Sequence, residues 1–283
     1  MKINIIDRPS VNFTDEEITP RYIVIHCIGY DDIKALDILT KTVENGGGGV
    51  SSHYFIPQVQ DTTLDGYPIY NLVSDNKKAW HAGASKWYQD ENLNSFSIGI
   101  EFNSPNYANA ITGDGNLDWY HFDGFQQDQI QAGVELIKTL MNKYNIPKEN
   151  VIGHFDIAPW RLDKDGNAIL GKTDPGAKFP WKLLAKEGIG VWPKEERTRE
   201  DEIDLSLKNV QKLLADNGYK IEQTDIYDPQ TEFTIKAFQI HYMPENIDGK
   251  ISAQLVTSLE NLTDHQYSEN PIQAPDYYML DVA

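Results

Sequence analysis

The chain has 283 residues, 40% hydrophobic and 11% aromatic, enough apolar material for one large folded domain plus a small one and too much for wholesale disorder. Its formal net charge of −18 argues against nucleic acid or an anionic membrane face as a partner. A single cysteine, Cys27, excludes an intramolecular disulfide, and no run approaches the length of a transmembrane helix.

The first residues, Met1-Lys2-Ile3-Asn4-Ile5-Ile6-Asp7, meet charge too early and hold too few apolar side chains for a secretory signal, so export of this chain as it stands is not expected. Tyr22-Ile23-Val24-Ile25 is a strand-like run that ends in His26. Asp31 to Glu44 reads as a helix with Ile33, Leu36 and Leu39 or Thr40 on one face. Asn45-Gly46-Gly47-Gly48-Gly49 then reads as a flexible loop. No Lys-Ser/Thr pair follows it, so it is not a phosphate cradle. Ser52 to Ile56, Ile69 to Val73 and Phe96 to Phe102 read as strands. Gln126 to Tyr144 is the longest helical pattern, with Ile130, Val134, Ile137, Leu140 and Met141 on one face, and Asn145 and Pro147 end it. Val151 to Gly153 is a short strand running into His154. Alternation of this kind predicts an α/β fold, a mixed central sheet flanked by helices.

The chain divides near residue 193. Pro193-Lys194-Glu195-Glu196-Arg197-Thr198-Arg199-Glu200-Asp201 is a charge run behind a proline, the signature of a solvated linker. Three helices are predicted after it: Leu205 to Asp216, closed by Asn217-Gly218; Pro229 to His241, capped by Asp228; and Ser252 to Leu262, capped by Ser252. The expected organisation is a catalytic domain over 1–192, a linker over 193–203, and a small three-helix domain with a C-terminal tail over 204–283. The helical unit carries no His/Cys/Asp cluster and is expected to have little core of its own, and to bind and not to catalyse.

The chemistry-bearing residues sit at strand exits and in loops. His26, His154 and Asp174, the last on the turn Thr173-Asp174-Pro175-Gly176, are two histidines and a carboxylate, the ligand types of an open hydrolytic zinc site. His26 alone would read as a satisfied core histidine. Cys27 is adjacent to His26 and so points to the opposite face of a strand. That weakens a Cys-His nucleophile, and a small buried hydrophobe is the better reading of the thiol. Glu101 ends the apolar run Ser97-Ile98-Gly99-Ile100 and is either a carboxylate turned to water or a general base. His81, in Trp80-His81-Ala82-Gly83, could be a ligand, a substrate contact or a surface histidine. His53 reads as packed structure. His121, His241 and His265 carry no local signal.

In order along the chain, Val24-Ile25-His26, Ser52-His53-Tyr54, Trp80-His81-Ala82-Gly83, Ser97-Ile98-Gly99-Ile100-Glu101, Gly153-His154-x-Asp156-Ile157-Ala158-Pro159, Asp174-Pro175-Gly176 and Phe179-Pro180-Trp181 resemble the zinc-dependent N-acetylmuramoyl-L-alanine amidases of the amidase-2 type. The resemblance covers roughly residues 20 to 192. The tail, with Val210-Gln211-Lys212-Leu213-Leu214, Gly218-Tyr219, Thr231, Lys236-Ala237-Phe238-Gln239 and Asp248-Gly249, is similar to the three-helix peptidoglycan-binding domain that often accompanies such enzymes.

The resemblance implies zinc held by His26, His154 and Asp174, Glu101 as the catalytic carboxylate, Lys172 as stabiliser of the oxyanion, and His81 in the substrate groove. It implies peptidoglycan or muropeptides as partners of a monomer, and hydrolysis of the amide between N-acetylmuramic (or 1,6-anhydro-N-acetylmuramic) acid and L-alanine. A catalytically inactive peptidoglycan-recognition protein of the same fold is the alternative. A wall-binding domain points to the cell envelope or periplasm, and the unsuited N-terminus to the cytoplasm. The pattern departs from the family between Arg161 and Lys172, where ten residues intervene and Lys164-Asp165-Gly166 offers a competing lysine and carboxylate. Pro175-Gly176 and Phe179-Pro180-Trp181 favour Lys172 and Asp174, which makes Asp165-Gly166-Asn167 the tip of an inserted turn.

Overall fold

The structure, a computed structural model, describes residues 1–59, 61, 63–105, 124–194 and 203–269, and of residues 264–269 the backbone only. His121, most of the expected linker and the tail beyond residue 269 lie outside the described residues, as does the side chain of His265.

Tyr22 to Cys27 are all buried, and an uninterrupted apolar run of this kind suits a strand covered on both faces. The strands, in chain order, are β1 (Ile3–Asp7), β2 (Phe13–Glu17), β3 (Tyr22–Ile28), β4 (Tyr54–Ile56), β5 (Tyr67–Asn71), β6 (Lys77–Ala79), β7 (Lys86–Trp87), β8 (Asp90–Glu91), β9 (Ser97–Asn103), β10 (Val151–Gly153), β11 (Trp160–Leu162) and β12 (Ala168–Leu170). Six of them form one sheet in the order β1-β5-β4-β9-β3-β10. Its neighbours pair in parallel except β4 with β5, so the sheet is mixed as predicted.

Successive side chains of a strand alternate between faces. Ile56 and Phe102 join the cluster that receives Ile130, Ile137 and Leu140 of α2 (Gln127–Tyr144), whereas Phe55 joins Ala35, Leu36 and Leu39 of α1 (Asp32–Thr40). One helix thus covers each face. The helix expected to run to Glu44 stops at Thr40. Thr40 Oγ1 donates to the Leu36 carbonyl, and Gly48 N–H folds back to donate to the Ile38 carbonyl. The glycine run is therefore bonded to the end of the helix it follows.

After β10 the chain makes a one-turn helix, α3 (His154–Ile157), then the β11–β12 hairpin and α4 (Trp181–Lys186). The last three helices are α5 (Leu207–Asp216), α6 (Pro229–Tyr242) and α7 (Ala253–Glu269). Their caps are as read from sequence at Asp228, which accepts from Thr231 N, and at Ser252, whose Oγ accepts from Leu255 N at 3.1 Å. Ser206 caps α5, whose first residue, Leu207, lies two positions after the predicted start at Leu205.

The expectation of a bundle with little core is corrected by its packing. Val210, Leu214, Phe238 and Leu255 belong to the same continuous apolar cluster as Trp87, Phe155 and Trp181 of the catalytic region. Hydrogen bonds to backbone carbonyls reinforce the join: Tyr88 N donates to the Gly218 carbonyl and the Trp160 indole Nε1 to the Lys220 carbonyl, both at 2.9 Å.

Candidate metal and catalytic site

The strand register builds half of the site. β3 and β9 run parallel with His26 opposite Glu101 and Val24 opposite Gly99, so His26, Gly99 and Glu101 occupy one face. Ser97 shares that face by alternation. A Cβ at Gly99 would lie 2.6 Å from His81 Cγ, so the glycine makes room for the imidazole that lies beneath His26.

The other half comes from the segment after β10. His154 is the first residue of α3, not the last of the strand, and α3 turns its ring toward His26. The β11–β12 hairpin accounts for the extra residues between Arg161 and Lys172. Its tip closes locally, with Asp163 Oδ1 accepting from the backbone N–H groups of Asp165 and Asn167. The hairpin returns at Gly171, where a Cβ would meet the Ala158 carbonyl oxygen at 2.0 Å. Lys172 N then donates to the Ala158 carbonyl, and Phe155 N to the Asp174 carbonyl. The insertion therefore brings Asp174 back against α3, while the competing Asp165 sits at the exposed hairpin tip.

Three ligand atoms converge there. His26 Nδ1 and His154 Nδ1 are 3.0 Å apart, and Asp174 Oδ2 lies 3.2 Å from the first and 3.0 Å from the second. The other ring nitrogens fix which of these atoms carry protons. His154 Nε2 faces the Ala82 carbonyl at 3.3 Å, an acceptor, so in the neutral ring the proton sits on Nε2. Ser97 Oγ donates to the Leu93 carbonyl and so accepts from His81 Nε2, which leaves His81 Nδ1 as an acceptor for His26 Nε2 at 3.0 Å. With both rings neutral in these tautomers, both Nδ1 atoms and the Asp174 oxygen would present lone pairs to one point.

Burial, then the neighbouring His154, pushes the His26 imidazole down to about 4, so it is neutral at pH 7. Mutually repelling lone pairs at this spacing fit a cation. Zn–N bonds of about 2.0–2.1 Å in a tetrahedron put ligands about 3.3 Å apart, close to the separations found.

Glu101 Oε2 is buried with no hydrogen-bond partner. Burial and then the charge of Asp174 push its carboxyl well up, and Lys172 pulls it back. Both Asp174 and Lys172 therefore act electrostatically on Glu101. The Cys27 thiol is also buried, and burial with the charge of Glu101 pushes it well above its usual value, so no thiolate forms at neutral pH.

His81, expected in the substrate groove, is buried against the candidate ligand His26. It is 8% exposed, with one ring nitrogen on His26 and the other on Ser97. His53 is packed structure: Nδ1 accepts from Gly99 N and Nε2 donates to the Lys77 carbonyl. The sequence reading missed Asp156, Tyr219 and His241, which meet behind α3. The signal available for Asp156 was its place two residues after His154 in an apolar stretch, where a carboxylate needs partners.

Residues 16–177 match the family described as N-acetylmuramoyl-L-alanine amidase. The chain belongs to that family. Residues 205–259 of this amidase match a peptidoglycan binding domain. It is 34% identical over 249 residues to the N-acetylmuramoyl-L-alanine amidase AmiD of Escherichia coli strain K12, covering 86% of this chain and 82% of that one. Its fold resembles that of the same E. coli enzyme solved with anhydro-N-acetylmuramic acid-L-Ala-D-gamma-Glu-L-Lys, with a TM-score of 0.70, 31% identity, and coverage of 91% and 92% of the two chains. It also resembles AmpDh3 of Pseudomonas aeruginosa in complex with anhydromuramic pentapeptide, with a TM-score of 0.69, 29% identity, and coverage of 89% and 94%.

Proposed function

We propose that this amidase uses zinc to hydrolyse the amide between the lactyl group of N-acetylmuramic or 1,6-anhydro-N-acetylmuramic acid and L-alanine, in peptidoglycan and in soluble muropeptides. The observation that carries the reading is the meeting of three potential ligand atoms, on His26, His154 and Asp174, near the strand position of Glu101, whose Oε2 is buried without a partner. The three residues would hold zinc and leave a fourth position open. Bound there, zinc supplies Lewis-acid polarisation and lowers the pKa of water towards ~7.

Glu101 takes the proton of the attacking water on a carboxylate oxygen and delivers it to the L-alanine nitrogen as the C–N bond breaks. A dication neutralising Asp174 removes one of the two causes that raise Glu101, which suits the carboxylate to act as a base. Lys172 offers an ammonium to the charge that develops on the former carbonyl oxygen.

The ligands named for the E. coli and P. aeruginosa structures, both anhydromuramyl peptides, support the substrate class. The match over residues 205–259 supports a division into a catalytic unit over 1–192 and a wall-binding unit from 204 onward, and a working place at the cell envelope. Among the described residues no helix is long and apolar enough to cross a membrane.

Two variants dissect the site. His154→Ala is expected to lose both bound zinc and turnover. Glu101→Gln is expected to keep zinc and lose turnover by about 10²–10⁴-fold, the usual worth of a general acid–base group. Metal content of the purified chains and hydrolysis of a muramyl tripeptide measure this. A Glu101→Gln chain that stays fully active removes Glu101 from the mechanism.

A further inference from the structure

We propose that Tyr219 and His241, from the C-terminal helical unit, are positioning residues of the metal site. They hold the carboxylate of Asp156, and through it the one-turn helix that carries His154.

The helix α3 has four residues, too few to persist without outside support. Besides the packing of Phe155 and Ile157 and the bond of Phe155 N to the Asp174 carbonyl, it is held through Asp156, which is fully buried. A buried carboxylate is tolerated only where donors satisfy it. Asp156 has three: Gly153 N donates to Oδ2 at 2.8 Å, His241 Nδ1 to the same oxygen at 2.8 Å, and the Tyr219 hydroxyl to Oδ1 at 2.7 Å. Two of the three therefore come from the helical unit.

These donors are themselves fixed. The His241 ring stacks between Trp181, at 4.1 Å, and Tyr242, at 4.0 Å. Tyr219 stands edge-on to Trp87 at 5.1 Å. His154 lies two residues before Asp156 on the same turn, and its Nδ1 is one corner of the ligand triangle. Metal sites need their ligands held within about 0.5 Å, so whatever sets the pose of α3 sets the affinity of the site. A domain expected from sequence only to bind the wall would in this way also complete the catalytic centre.

The inference rests on the zinc reading above. Its test uses the full chain, stripped of metal, with zinc affinity measured by competition against a chromophoric chelator and melting temperature measured in parallel. Tyr219→Phe removes only the hydroxyl. His241→Leu removes the donor, and His241→Asn restores an N–H near the position of Nδ1. Asn217→Ala is the control. Asn217 bonds to the Leu213 and Leu259 carbonyls and to Thr263 Oγ1 inside the helical unit and not to Asp156.

Tyr219→Phe and His241→Leu are expected to weaken zinc binding about ten-fold, the lower end for a supporting partner of a ligand. His241→Asn is expected to recover most of the loss, and Asn217→Ala to melt lower with zinc affinity unchanged. If Tyr219→Phe and His241→Leu melt lower but bind zinc as the wild type does, the positioning role is overturned; Tyr219→Phe decides the matter if His241→Leu does not fold. A wild-type chain that takes up no zinc overturns the metal reading, and this inference with it.

Discussion

His26 Nε2 lies 3.0 Å from His81 Nδ1, and that contact decides which face of His26 is basic. Because Ser97 Oγ spends its proton on the Leu93 carbonyl, the order of donors along Leu93, Ser97, His81 and His26 has one consistent direction. It ends with a lone pair on His26 Nδ1, beside those of His154 and Asp174.

On the zinc reading, His81 is expected to support His26 as a ligand rather than to contact substrate. Replacing it with leucine leaves the Nε2–H of His26 without an acceptor and is expected to cost about 10–100-fold in zinc affinity. Gly99→Ala, whose new methyl would press on the His81 ring, is expected to act in the same direction. Zinc competition measures both. A groove role would instead raise KM and leave zinc affinity unchanged.

Much of the candidate site is legible in the sequence. The candidate ligands, Glu101 and Lys172 stand in strands and turns whose neighbours mark the register, and apolar runs made β3, β9, β10 and α2 visible. β2 was not visible, because Phe13–Glu17 is exposed and mostly acidic, and neither were β7 and β8, which are too short to show a period. The role of His81 was hidden because it depends on Ser97, sixteen residues away on another element. His241 had no local signal because its partner, Asp156, is eighty-five residues distant.

The buried His53 makes stability depend on pH. Burial lowers its imidazole to about 4, against the weaker opposing effects of the Lys77 carbonyl and Asp75. The unfolded ring titrates near 6.5, so between that pH and about 4 the unfolded chain binds the extra proton. The stabilising contribution is thus whole above about 6.5 and is lost as pH falls towards 4, by about 2 kcal/mol at pH 5. Chemical denaturation at pH 7 and pH 5 should show a smaller acid loss in His53→Gln than in the wild type. Equal losses in the two chains would remove His53 from the linkage.

One apolar cluster spans the catalytic region and the helical unit, so the two are expected to unfold together. Calorimetry of the wild type should show a single transition. Phe238→Ala, at a fully buried position in α6, should cost about 3–5 kcal/mol and shift that whole transition down. Two separated transitions, with only one moved by the substitution, would contradict the shared core.

The buried thiol and the ligand triangle predict opposite inhibitor responses. A strong chelator should abolish activity, and added zinc should restore it. A thiol-blocking reagent under native conditions should leave activity intact, since Cys27 is buried and un-ionised. Inactivation by the thiol reagent alone would revive a cysteine-based mechanism.

The central claim concerns one bond, and the mass of the products tests it most directly. Zinc-loaded protein is incubated with an anhydromuramyl tripeptide, and the products are identified by mass spectrometry. The account predicts free anhydro-N-acetylmuramic acid together with an intact peptide whose new amino terminus is L-alanine, and predicts neither product from His154→Ala. Cleavage within the peptide, or of the sugar, would contradict it.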